Sequence, residues 1–187
     1  YREFLKFCVC GLFYQAGIAV VITLSAVYAQ LVMKFTTAQT ITLILVVNIT
    51  AAIGAFVFGY VQDRLGHKKT LALTILLWII MGVMAAFSHG PVSFWIAANI
   101  AGIAMGSSQS AGRAVVAVFA PAGELAQFYS AWNVAVWGAN VLGPITYGTV
   151  TWLTSGDQRT AILVTTLFFV IGLLILRRVH LPSKTVC

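Results

Sequence analysis

The sequence predicts an all-α integral membrane protein of six spanning helices, arranged as two inverted three-helix repeats. Three observations predict it: long uncharged stretches, a lopsided placement of the few charges, and a helix polarity that repeats in threes. Of the 187 residues, 60% are hydrophobic and 8% charged, against about 25% charged in ordinary soluble chains. Uncharged stretches run Phe7–Met33, Phe35–Gln62, Thr70–Gly112, Leu125–Gly156 and Thr160–Leu176. One span takes roughly 20 apolar residues. The third stretch is about twice that length and is divided by His89-Gly90-Pro91. The expected helices therefore cover about 4–34, 38–62, 70–88, 93–119, 126–153 and 159–179, in a single domain over residues 1–187.

Charge placement gives the expected orientation. With six spans, the N-terminus, the second and fourth loops and the C-terminus share one side. That side carries Arg2, Lys6, Arg64, Lys68, Lys69, Arg113, Arg177, Arg178 and Lys184, while the other has only Lys34 and Arg159. Cytoplasmic loops collect lysine and arginine, so both termini are expected in the cytoplasm, in a plasma, inner or vacuole-type membrane. The net charge of +7 is thereby accounted for by topology, and no nucleic acid is expected as a partner. The chain opens at Tyr1 without a cleavable signal pattern, and that opening suggests a fragment. Cys8, Cys10 and Cys187 form no CxxC pair and no even framework.

Helices three and six have nearly apolar interiors and are expected to face lipid on most sides. Helices one, two, four and five carry Gln15, Thr23, Asn48, Asn99, Gln109, Asn133 and Asn140. The order polar, polar, apolar occurs twice, the rhythm of inverted three-helix repeats. In helix four, Asn99, Gly102, Gly106, Gln109 and Arg113 follow helical steps and form one stripe, beside a ridge of Ala98, Gly102, Gly106 and Ser110. Helix five repeats the device with Asn133, Trp137, Asn140, Pro144 and Tyr147, and helix two has Asn48, Ala51, Ala55 and Gly59. Small residues at every fourth position serve close helix packing on their own. Amides at membrane depth face a bundle interior or a wet cavity, which makes Gln15, Asn48, Asn99, Gln109, Asn133 and Asn140 the candidates to line a solute cavity.

Charge gathers again in "GYVQDRLGHKK", residues 59 to 69. Gly59 is expected to let another backbone approach the end of helix two, and Gly66 to permit a tight reversal into helix three. Asp63 is the unusual member, because topology requires no acid there. It has three readings: accepting N–H groups at a helix start, pairing with Arg113, or standing solvated and alone. Arg113 lies about 20 residues past Ser93, a rise of roughly 30 Å. An Asp63–Arg113 contact would latch the cytoplasmic mouth, with Gly59, Arg64, Gly66 and Lys68 completing the loop.

"GYVQDRLGHKK" resembles the loop signature of the major facilitator superfamily, with His67 where the family usually has arginine or lysine. "GANVLGPITYG", Gly138 to Gly148, resembles the glycine-proline kink that the superfamily places in the fifth helix of a half, so Gly138, Gly143 and Pro144 are its expected bending residues. Over nearly its full length the chain is similar to the C-terminal six helices of the vacuole-effluxer-like branch. "FYQAGIAVVITLSAVYA" carries the match in helix one, "GSSQSAGRAVVAVFAPAGELAQFYSAWN" from helix four to five, and "LGPITYGTVTWLTSGDQRTAILVTTLFFVIGLLILRRV" beyond. Three positions depart from that branch. Gln15-Ala16-Gly17 lacks the acid usual before the helix-one glycine, Gly112 replaces the serine usual before the helix-four arginine, and Trp137 sits near a frequent helix-five cation.

The resemblance implies half of a secondary transporter that moves a small solute by rocking against a second six-helix half, with efflux of amino acids or other metabolites. It also implies three partners: membrane lipid, that second half and the solute. All four acids and all three histidines lie at helix ends or loops, so no proton carrier is evident at mid-membrane depth. The alternative is an accessory or assembly subunit built on a transporter-derived fold, which the half-size chain also fits. An intramembrane serine protease is rejected, because "GSSQSAG" finds no histidine base within a neighbouring helix. No metal cluster, phosphate loop or cofactor motif is present in the sequence.

Overall fold

The computed structural model of the chain describes residues 1–182. Lys184 and Cys187, used above in the charge and cysteine readings, lie outside the described residues. The six helices are α1 (Arg2–Leu31), α2 (Thr37–Leu65), α3 (His67–Ala86), α4 (Pro91–Phe119), α5 (Leu125–Leu153) and α6 (Gln158–Arg178). Short turns join them, so successive helices run in opposite directions. We call the end that holds Arg2 and Arg178 the terminal end and the opposite one the distal end.

Local chemistry sets the boundaries. Thr36 opens α2 with a reciprocal cap: its side chain accepts from the Gln39 amide at 3.3 Å, and its own amide donates to Gln39 Oε1 at 2.9 Å. Pro91 occupies the first turn of α4, where a missing N–H leaves nothing unpaired. Asp157 caps α6 by accepting from the Arg159 amide at 3.0 Å. The charged signature lies mostly within helix rather than loop, because α2 continues through Asp63-Arg64-Leu65 and α3 begins at His67. Gly66 alone makes the reversal, at φ +81°, a conformation that only glycine adopts without strain.

The packing has internal symmetry. The principal pairings are α2 with α4, α1 with α5, α3 with α4, α1 with α6, and α3 with α6. Exchanging α1 with α4, α2 with α5 and α3 with α6 returns the same set of pairs. Each exchange also reverses helix direction, so the two repeats are inverted. The two largest seams are built alike. A side chain on Gly106 of α4 would collide with the Ala51 carbonyl oxygen of α2, and one on Gly143 of α5 would collide with the Ala16 carbonyl oxygen of α1. Glycine at these points lets backbones meet, the usual basis of close packing between membrane helices.

Burial corrects one expectation. Helix three was expected to lie open to lipid, yet α3 has nine buried residues, against four in α2 and five in α5. Trp78 of α3 explains it: the indole stacks on Phe169 of α6 at 5.3 Å between centroids and donates to Ser108 Oγ of α4 at 3.2 Å. An apolar surface facing lipid and one facing a neighbouring helix have the same composition, so sequence alone does not separate them. The exposed helices are instead α2 and α5, which flank the α1–α4 pair.

Four helices, α1, α2, α3 and α6, are long and apolar enough to cross a membrane by composition alone. α4 and α5 match them with 29 residues each, but carry the amides, hydroxyls and glycines already noted.

Candidate functional site

α1 and α4, the first helices of the two repeats, meet at few points. At mid-depth, Gln109 Nε2 donates to Gln15 Oε1 across the gap at 3.4 Å. Gln15 is buried and Gln109 half-buried, so two predicted cavity residues form the bridge between the repeats. One bond leaves the Gln15 amide nitrogen and the Gln109 carbonyl oxygen with unused capacity. At this depth the gap offers uncharged donors and acceptors together.

The two halves of the gap differ. Towards the terminal end it is filled by aromatic rings: Phe7 stacks on Trp132 at 5.0 Å, Phe4 lies 4.5 Å from Phe128, and Phe4 and Phe7 both approach Phe119. Towards the distal end it opens into a cavity of about 240 Å³ bordered by Val20, Leu24, Tyr28, Val47, Ala101 and Met105. Asn48 and Ser25 are polar points on an otherwise apolar wall. Tyr28 and Tyr147 also border it, but their hydroxyls are engaged elsewhere, with the Ala85 carbonyl at 2.9 Å and Gln158 Oε1 at 2.5 Å.

The remaining predicted amides do not converge on the bridge. Asn48 is exposed on α2 and its Nδ2 turns back to the Ile44 carbonyl at 2.8 Å; Asn99 is half-buried and bonds the Trp95 carbonyl at 2.8 Å. Asn133 and Asn140 are exposed on α5 beside Trp137, which is 68% exposed. Asn140 lies about 22 Å along α5 from Leu125, deep in the span. Its carbonyl is also freed, because Pro144 one turn on has no N–H to give. α5 nonetheless continues as helix through Pro144. Gly143 is buried against α1, whereas Gly138 is exposed, and a Cβ there would press on the Leu12 side chain at 3.3 Å.

At the terminal end, Asp63, Arg64 and Arg113 are all exposed. Among the described residues the ion pairs are Glu3 with Lys6 and Glu3 with His180, so the Asp63–Arg113 latch is not formed in this structure. Helix geometry gives the reason. Ala51 sits on the α4 seam, and the twelve residues to Asp63 carry it about 120° round the helix. Gly59 has open space rather than an approaching backbone, with nothing within 4 Å of an added Cβ. Lys68 ties α3 to the end of α6, its Nζ donating to the Val179 carbonyl at 2.5 Å and the Arg177 carbonyl at 3.1 Å. A cation there also suits the dipole at the C-terminus of α6. Glu3 secures the same end by accepting from the His180 amide at 2.7 Å.

Sequence reasoning missed Tyr14. It is fully buried between α1 and α4, its hydroxyl ending over Gly112 of α4 without a well-formed hydrogen bond among the described residues. Its signal was available in retrospect, since a tyrosine rather than a phenylalanine stands directly before Gln15 on a helix otherwise read for its amides.

Comparison with known proteins accounts for this architecture. The family model described as "Vacuole effluxer Atg22 like" matches residues 1–186. The uncharacterized MFS-type transporter YxiO of Bacillus subtilis is 27% identical over 185 residues, which is 99% of this chain and 42% of that protein. Among solved structures, the fucose:proton symporter FucP of E. coli superposes with a TM-score of 0.81 at 18% identity, over 97% of this chain and 44% of that one. The inward-open xylose transporter XylE of E. coli gives 0.78 at 20% identity, over 95% and 47%. At such identities the two structures speak for the fold alone. The chain spans less than half the length of these proteins, and those it matches are transporters rather than enzymes. It is a multi-pass membrane protein that belongs to the vacuole effluxer Atg22-like family, with the fold of a six-helix half of a major facilitator.

Proposed function

We propose that this chain is one half of a secondary transporter that moves a small solute by alternating access, rocking against a second six-helix half. The observation that carries the reading is the position of the amides. Asn48, Asn133 and Asn140 stand exposed on α2 and α5 at depths where lipid is a poor neighbour for an amide. A second half laid over those two helices would enclose them in a wet cavity beside the Gln15–Gln109 bridge. The open space at Gly59 and the exposed Asp63, Arg64 and Arg113 then become contacts for that second half at the terminal end. Gly138 and Pro144 would let α5 bend as the halves rock.

The solute we infer is a small metabolite, amino acids included, bound here through neutral hydrogen-bonding groups. The family description supports export as the direction, and the lysine and arginine placement supports cytoplasmic termini. The test is transport by the full-length protein in proteoliposomes, using a panel of labelled amino acids and neutral metabolites, with Gln15→Ala and Asn140→Ala in parallel. The reading expects uptake of at least one compound, reduced about tenfold or more in both variants, as for loss of a buried hydrogen bond. A purified particle that pairs this chain with an unrelated larger assembly, and no second six-helix half, would replace it with an accessory-subunit role.

A further inference from the structure

α3 and α6 each turn one stripe of exposed residues away from the bundle. On α3, Lys69, Leu73, Leu76 and Ile80 are exposed and follow one another at steps of three and four, so they lie on a single face. On α6, Leu167, Ile171, Leu174 and Arg178 do the same. The two helices pack together and run in opposite directions, so each apolar stripe meets its cation at the terminal end. Lys68 fixes that alignment: its Nζ donates to the Arg177 carbonyl at 3.1 Å and the Val179 carbonyl at 2.5 Å, setting the start of α3 against the end of α6. Lys69 and Arg178 flank this contact. Among the described residues the ion pairs are those of Glu3 with Lys6 and with His180, so neither Lys69 nor Arg178 is neutralised by an acid there.

The stripes have the depth of one leaflet. From Lys69 to Ile80, and from Arg178 back to Leu167, eleven residues rise about 16 Å, half of a hydrocarbon core roughly 30 Å thick. Long cationic side chains at such a boundary reach out to the headgroups while their stems lie on apolar surface.

We propose that the α3–α6 face is a docking surface for anionic phospholipid in the leaflet at the terminal end, with phosphates at Lys69 and Arg178 and acyl chains along the two stripes. Charge complementarity selects this occupant. A zwitterionic headgroup brings its own cation towards Lys69 and Arg178. A second copy related by a two-fold along the membrane normal would set these cations against their own kind. Lipid docking here does not depend on the transport reading, because that reading covers α2 and α5 and leaves this face to the membrane.

The experiment places the full-length protein in phosphatidylcholine nanodiscs with a trace of phosphatidylglycerol that carries a photoactivatable diazirine on its acyl chain. A phosphatidylcholine probe with the same chain is the reference, and labelled peptides are mapped by mass spectrometry. The glycerol probe is expected to label segments 73–80 and 167–174 about fivefold more than the reference, the preference of one cation near the membrane surface. Lys69→Gln should remove the preference on α3 and Arg178→Gln that on α6, while Lys34→Gln, at the distal end, leaves both. Equal labelling by the two probes would overturn the proposal, as would a preference that survives both substitutions or is lost equally in Lys34→Gln. A particle of twice the mass with this face shielded from both probes would replace the lipid with a second copy.

Discussion

Gly106→Ala is the substitution whose effect the packing predicts most sharply. The added methyl would collide with the Ala51 carbonyl oxygen and lie 2.8 Å from its carbon and 3.1 Å from the Ala55 nitrogen. These are backbone atoms of α2, so no side-chain rotation relieves the overlap. Restoring ordinary contact moves α2 away from α4 by on the order of 1 Å, and overpacking against unyielding backbone takes the upper part of the usual range, about 2–3 kcal/mol. Alanine's better helix propensity returns up to about 1 kcal/mol, leaving a net loss of about 1–2 kcal/mol. For a unit of this size that lowers the melting midpoint by about 2–8 °C. Gly148→Ala is the control, since nothing lies within 4 Å of a Cβ there. Thermal unfolding of the full-length protein in detergent, followed by circular dichroism, measures both. Equal midpoints for the two variants would refute the claim that α2 and α4 meet backbone to backbone.

Three further outcomes are expected. Asp63→Asn and Arg113→Ala should have additive effects on stability, within about 0.5 kcal/mol, because the two side chains are not paired; a larger coupling in a double-mutant cycle would restore the latch. Ser108→Ala should destabilise by about 1–3 kcal/mol by leaving the Trp78 N–H buried without an acceptor, and denaturant titration against Trp78→Phe and the double variant tests it. The Asp157 carboxyl is held below its usual range, chiefly by the Thr160 hydroxyl and then by the Arg159 and Thr160 amides. A depressed folded-state pKa means that its stabilisation is present above the ordinary carboxylate pKa and lost as pH falls below it. Melting midpoints measured down through that range should therefore drop in the wild type and respond less in Asp157→Ala.

How much of this was legible in the sequence depended on the range of the interaction. Small residues at helical spacing marked Gly102 and Gly106, one turn apart, for close helix packing, but did not name α2 as the helix they meet. Gln15 and Gln109 were legible as amides at depth, though not as partners, because their meeting depends on how two helices 94 residues apart are rotated. Lys68 read as a topological charge and a member of the signature loop, not as a tie to α6. Its reach to the Val179 carbonyl joins positions 111 residues apart, which no local pattern encodes. The burial of α3 escaped for a different reason: lipid and neighbouring helices accept the same apolar side chains. Tyr14 escaped because a buried aromatic looks like core until its hydroxyl is followed to its end.

The central claim is that α2 and α5 are covered by a second half, which a cryo-electron microscopy structure of the full-length protein in lipid nanodiscs tests directly. The predicted result is a second six-helix bundle related to this one by a two-fold axis along the membrane normal. Asn48, Asn133 and Asn140 would face a water-filled cleft between the bundles, with Gly59 in contact with the other half. Density for lipid chains along α2 and α5, or an unrelated subunit against them, would contradict it.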